Sequence, residues 1–245
     1  MKNIMFVLFI SVFAFVITAN AQKSEKFENL KILPKNITKE KLDDIMHSFT
    51  DGLGVNCEFC HVRNEVTDKM EFSKDTKTAK NKARVMLKMT MAINKNYLSK
   101  LSKYSDNIMQ VKCVTCHRGN KEPKMLQDVL YRTINKKGID EAISTYHKLH
   151  DEYYGGFTYD FKDHTLVELV QMLNKDKKYD DALKMAQLNI DMYPKSGVAY
   201  YGIGIVYAAK GDKENAIKNY KKAIDLMPRA ARFFNRKIEE LEEKK

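Results

Sequence analysis

All four cysteines of the chain stand in two stretches of one form, Cys57-Glu58-Phe59-Cys60-His61 and Cys113-Val114-Thr115-Cys116-His117. Several chemistries use a thiol pair at this spacing. A disulfide inside C-x-x-C closes a very small loop and staples little. A thioredoxin-like dithiol needs the strand-to-helix context of a βαβ unit, and neither flank reads as a strand. Zinc could take four thiolates, but 56 residues separate the two pairs, a long spacing for a zinc ribbon, and the histidines would have no role. Covalent attachment of haem accounts for every residue. The two sulfurs bond the vinyl groups on one porphyrin edge, and the adjoining imidazole ligates the iron. The motifs therefore predict two covalently attached haem c groups, held by Cys57, Cys60, Cys113 and Cys116, with His61 and His117 as axial iron ligands.

Each iron then needs a sixth ligand or an open position. Methionine opposite histidine gives a six-coordinate, electron-transfer iron at raised potential. Met46 lies 11 residues before Cys57, on a predicted helix with Thr38 as N-cap and Ile37 and Leu42 as a hydrophobic staple. Leu42, Ile45, Met46 and Phe49 share its apolar face, and Gly52 and Gly54 end it. Val62 to Thr78 reads as polar loop. A second helix is predicted from Lys80 to Leu101, with Met86, Met89, Ile93 and Tyr97 on one face. By spacing, Met86, Met89 and Met91 share the claim on the second iron, with Met109 an outsider. A methionine on such a face also serves as plain core filling. His47 reads as a solvent-side residue. Arg118 is either a propionate partner or a surface arginine, and Arg63 and Lys112 are weaker versions of it.

The elements that must position these residues follow from the rest of the chain. Few Gly and Pro among 245 residues, with abundant Lys, Ala, Leu, Met and Glu, predict an all-α fold. Lys2, the apolar run Ile4 to Ile17 and Ala19-Asn20-Ala21 form a signal-peptide pattern over residues 1–21, which predicts a periplasmic protein. Residues 22–35 read as a loose lead-in, and 36–122 as the dihaem domain. That domain has few large apolar side chains, so porphyrins are expected to supply much of its core. From 123 to 245 the helices repeat. Ala182 and Ala216, and Pro194 and Pro228, lie 34 residues apart, the tetratricopeptide period. A degenerate hairpin is expected from Met125 to Tyr154 around Gly138, and a polar capping helix from about Arg232. His147, His150 and His164 have no metal partners at recognisable spacing.

The motif A-R-x-M-x-x-M-T-x-x-I-N, present as Ala83, Arg84, Met86, Met89, Thr90, Ile93 and Asn94, is followed by VKCVTCHRGNKEP. Together they resemble the tetrahaem cytochrome subunit of bacterial photosynthetic reaction centres, over roughly residues 35 to 124. In that family each unit is a helix, a turn and a C-x-x-C-H segment, and the helix methionine ligates iron. The resemblance assigns the sixth-ligand roles to Met86, with Met89 the lesser claimant, and to Met46 within Asp-Ile-Met-His-Ser-Phe. Two attachment motifs stand here where that family has four.

The expected function is single-electron transfer by a carrier and not an enzyme. The repeat half would dock a redox partner or assembly factor. The net charge of +11 favours an acidic redox partner and is compatible with a membrane-associated complex. A nucleic-acid partner is not expected, since no nucleic-acid-binding helix, finger or aromatic-basic sheet motif is present. The rivals are a peroxidase-like enzyme or sensor with an open iron site, and a repeat scaffold whose cysteine pairs hold zinc.

Overall fold

Thr38 starts the first helix as its sequence demands. In the computed structural model, which describes residues 27–243, α1 spans Lys39–Leu53 and the Thr38 hydroxyl accepts from the Lys41 amide at 3.3 Å. Ile37 is buried just ahead of it, and Gly54 ends it in the left-handed region at φ 61°. The signal-peptide reading and residues 22–26 of the lead-in lie outside the described residues.

The second helix departs from expectation. α2 spans Thr78–Asn96, and a 3-10 segment, Leu98–Lys103, replaces its last turn. The Ser99 hydroxyl donates to the Lys95 carbonyl, and such back-bonding competes with helix propagation. The stretch read as loop holds a small antiparallel hairpin, β1 (Val62–Arg63) and β2 (Met70–Glu71), with Val62 opposite Glu71. The Asn64 side chain shapes its turn by accepting from the Val66 and Thr67 amides. The second motif is itself a five-residue helix, α3 (Cys113–His117).

The lead-in is tied down, contrary to the loose reading. Lys31 pairs with Asp75 at 2.6 Å, and the Asn29 side chain donates to the Ser73 carbonyl. Asp75 also pairs with Arg84 at 2.8 Å and Lys80 at 3.0 Å. Arg84, then Lys31 and Lys80, hold the Asp75 carboxyl far below the usual aspartate range. Because folding lowers this pKa, the anchor contributes above the ordinary value of 3.8 and is lost as pH falls through the lowered folded-state value. Asp75→Asn leaves three clustered cations without their counter-ion. Hydrogen exchange at residues 29–33 is expected to quicken by about tenfold. Unchanged exchange in the variant would show that the lead-in is held by other contacts.

The repeat half is a stack of helical hairpins. They are α4 (Leu126–Lys137) with α5 (Ile139–Tyr153), α6 (Asp163–Lys175) with α7 (Tyr179–Met192), and α8 (Gly197–Lys210) with α9 (Lys213–Leu226). Gly138 turns the first hairpin at φ 91°, and Ala142 and Tyr146 are fully buried behind it. Ala182 and Ala216, one period apart, are likewise buried. Gly204 lets the last pair close, since a Cβ there would lie 2.5 Å from the Tyr220 ring. α10 (Ala231–Glu243) buries Phe234 and Ile238 and leaves its Glu-rich face exposed. The loop between α5 and α6 reaches back to the first half, where the Thr158 hydroxyl donates to the Arg118 carbonyl at 2.9 Å.

Apolar burial is uneven between the halves. Among the described residues, every buried hydrophobic residue except Ile37 lies at or beyond Leu126. Among the described residues, no helix is long and apolar enough to cross a membrane.

Candidate functional site

At the first motif, residues Cys57–Phe59 make one 3-10 turn. The Cys60 and His61 amides both donate to the Cys57 carbonyl, at 3.2 and 3.0 Å. This turn sets the two thiols one turn apart and carries His61 directly after them. Met46, Cys57, Cys60, His61 and Phe72 line one cavity of about 810 Å³, within the roughly 300–1,000 Å³ of cofactor pockets. Leu30 and Leu33 of the tethered lead-in form part of its wall. The structure therefore brings together the methionine and histidine that spacing paired across 15 residues.

The His61 ring meets Phe72 edge-on at 5.1 Å, and its Nδ1 is buried with no hydrogen-bond partner. Burial first, then the charge of Lys80, pushes the His61 pKa down. The Phe72 carbonyl works the other way, without reaching Nδ1 in hydrogen-bond geometry. The imidazole is thus neutral at neutral pH, the form with a lone pair for a metal. His47 also lines the cavity, although it is exposed.

At the second motif, α3 places Cys113 and Cys116 on one face and buries His117. His117 Nδ1 lies 2.9 Å from the Asn120 carbonyl. A carbonyl only accepts, so Nδ1 carries the proton and Nε2 keeps its lone pair for a ligand. Asn94 of α2 holds the segment before the motif. Its amide donates to the Val111 carbonyl at 2.9 Å, and its carbonyl accepts from the Val111 amide at 2.8 Å. Met86 is half-buried two turns earlier on α2, whereas Met89 and Met91 are exposed. Arg118 has an exposed side chain and forms no ion pair among the described residues.

The two units also touch each other, which treating them as separate repeats did not anticipate. α1 packs on α3. The Gly119 amide donates to the Gly52 carbonyl at 3.0 Å, and a Cβ on Gly52 would lie 2.9 Å from that of Cys113.

These donors fit a haem. Each motif offers two unpaired thiols and one imidazole with a free nitrogen. The zinc alternative does not match, because no three His, Cys, Asp or Glu side chains converge among the described residues. Burial pushes the Cys60 and Cys113 thiols up, away from the low-pKa thiolate of an activated dithiol.

Sequence reasoning missed three positioning features. Asn94 was visible in the quoted motif but looks like any polar residue on a helix. Asn120 acts through its backbone, which has no signature in residue type. The lead-in wall depends on a contact made 44 residues along the chain.

A pair of helix–turn–C-x-x-C-H units joined to stacked helical hairpins defines a c-type cytochrome with a repeat module. The model of the photosynthetic reaction centre cytochrome c subunit matches residues 11–155, and the chain belongs to that family. The tetratricopeptide repeat model matches residues 197–229, the α8–α9 hairpin and its flanks. No curated protein matches the chain.

Proposed function

We propose that the protein is a periplasmic dihaem cytochrome that carries single electrons, with the repeat half as its docking module for an assembly factor. When bound, each haem supplies an iron that alternates between ferrous and ferric states. Cys57 and Cys60 hold one group as thioethers, and Cys113 and Cys116 hold the other. His61 and His117 would supply imidazole nitrogens to the irons, and Met46 and Met86 would supply thioether sulfur, a ligand pair that raises the potential. Phe72, Leu30 and Leu33 exclude water from the first unit, and Lys31, Lys80 and Arg84 carry the charges suited to propionates there. Met46 and His61 lining one cavity beside two thiols is the observation that carries this reading.

Met46→Leu and Met86→Leu are each expected to remove about half of the ferric charge-transfer band that marks methionine ligation and to give a high-spin signal at one iron. The covalent haem content should stay unchanged. A high-spin ferric iron in the unsubstituted protein would favour an open-site enzyme or sensor instead, and a colourless matured protein would end the reading altogether.

A further inference from the structure

The positive charge is not spread along the chain. Residues 76–121 hold eleven Lys or Arg and one acidic residue, Asp106, while all other positions hold 32 basic and 31 acidic side chains. Nearly the whole net charge of +11 thus belongs to α2, the Leu98–Lys103 segment and the second motif. Some of these cations are used locally. Lys80 and Arg84 pair with Asp75, Lys77 donates to the Glu58 carbonyl, and Lys121 lies over the Phe59 ring. Lys88, Lys95, Lys100, Lys103 and Lys112 are exposed and form no ion pair among the described residues.

Apolar side chains stand among them. Tyr97, Leu101, Tyr104 and Met109 are 46–76% exposed. Lys100 and Lys103 lie 5.9 and 5.0 Å from the Tyr97 and Tyr104 rings. The Asn94–Val111 clamp joins the end of α2 to the start of the second motif, so Lys95 and Lys112 flank adjoining backbone. Cys116 is exposed in that motif. Gathering like charges on one face costs the free protein self-repulsion, which an oppositely charged partner relieves. Apolar residues amid unpaired charges are the composition of a steered interface.

We infer that the face formed by α2, the Leu98–Lys103 segment and the second motif is where an acidic redox protein docks and exchanges electrons with the second unit. This rests on the electron-carrier reading. It is favoured over an anionic lipid surface because the unpaired cations run up to the second attachment motif itself, with Lys112 directly before Cys113, where an electron exchanged with a partner has a short exit. In each exchange one ferrous iron becomes ferric and the acceptor gains that electron.

Small redox ions test the local charge without knowledge of the partner. Reduced holoprotein is mixed in stopped flow with hexacyanoferrate(III), an anion, or tris(phenanthroline)cobalt(III), a cation. The kinetic phase of the second unit is assigned by its absence or shift in Met86→Leu. Between about 20 and 500 mM salt, that phase should slow about threefold or more with the anion and quicken with the cation. Lys88→Glu, Lys95→Glu, Lys100→Glu and Lys103→Glu combined should reverse both trends. A matched set in the repeat half, Lys175→Glu, Lys195→Glu, Lys221→Glu and Lys222→Glu, changes net charge equally and should leave them in place. Equal effects of the two sets would overturn the inference. So would binding to vesicles of anionic phospholipid that the first set abolishes while its oxidation rates stay unchanged. A holoprotein whose haem cannot be reduced would instead refute the electron-carrier reading itself.

Discussion

Replacing Cys57, Cys60, Cys113 and Cys116 together by alanine should unfold residues 27–122 while the repeats stay folded. Among the described residues before Leu126 only Ile37 is a buried apolar side chain, whereas the repeats bury residues from Leu126 to Ile238. Ordering each residue costs roughly 1–2 kcal/mol of backbone entropy, and apolar burial at about 25 cal/mol per Å² is the main term that offsets it. The polypeptide alone offers little of that burial before Leu126. The expected readout is peptide-level hydrogen exchange: full labelling within seconds over 27–122, and slow exchange over α6 to α9. Cooperative protection of α1 and α2 in the variant would show that the polypeptide holds this half without porphyrin.

Gly54→Ala should be the most damaging of the glycine-to-alanine substitutions. Gly54 sits at φ 61°, which costs a residue with a Cβ roughly 1–2 kcal/mol. The added Cβ would also fall 2.1 Å from the Gly119 carbonyl oxygen. The obstacle is backbone, so no side chain can rotate away, and overpacking adds roughly 1–3 kcal/mol. A loss of about 2–5 kcal/mol is expected in the thermal unfolding of the holoprotein's first half. Gly211→Ala is the control, because Gly211 is also left-handed, at φ 81°, yet a Cβ there meets nothing within 4 Å. Equal losses at the two glycines would mean that the contact with Gly119 contributes nothing.

The repeats were legible because their signal is dense. Ala182 and Ala216 recur at a fixed period, and each must be small where helices touch. Gly138 and the α10 boundary followed from the same rules of turns and caps. The start of α1 was legible because Thr38, Ile37 and Leu42 act within one turn. The β1–β2 hairpin was not, because strands of two residues are too short to show alternation. Nor was the anchoring of the lead-in by Asp75, which depends on residues far apart in sequence. At the site, the two C-x-x-C-H stretches stand in the sequence itself, and spacing proposed the Met46–His61 pair, two residues that line one cavity. The seating of α1 on α3 escaped notice because glycines and backbone groups make it, and they bear no distinguishing side chain.

That seating also fixes a timetable. A chain lengthening from its N-terminus presents Cys57 well before Cys113, yet the last turn of α1 has nowhere to settle until Gly119 has emerged. During this interval Cys57 and Cys60 stay open, and closure comes only once the later segment arrives.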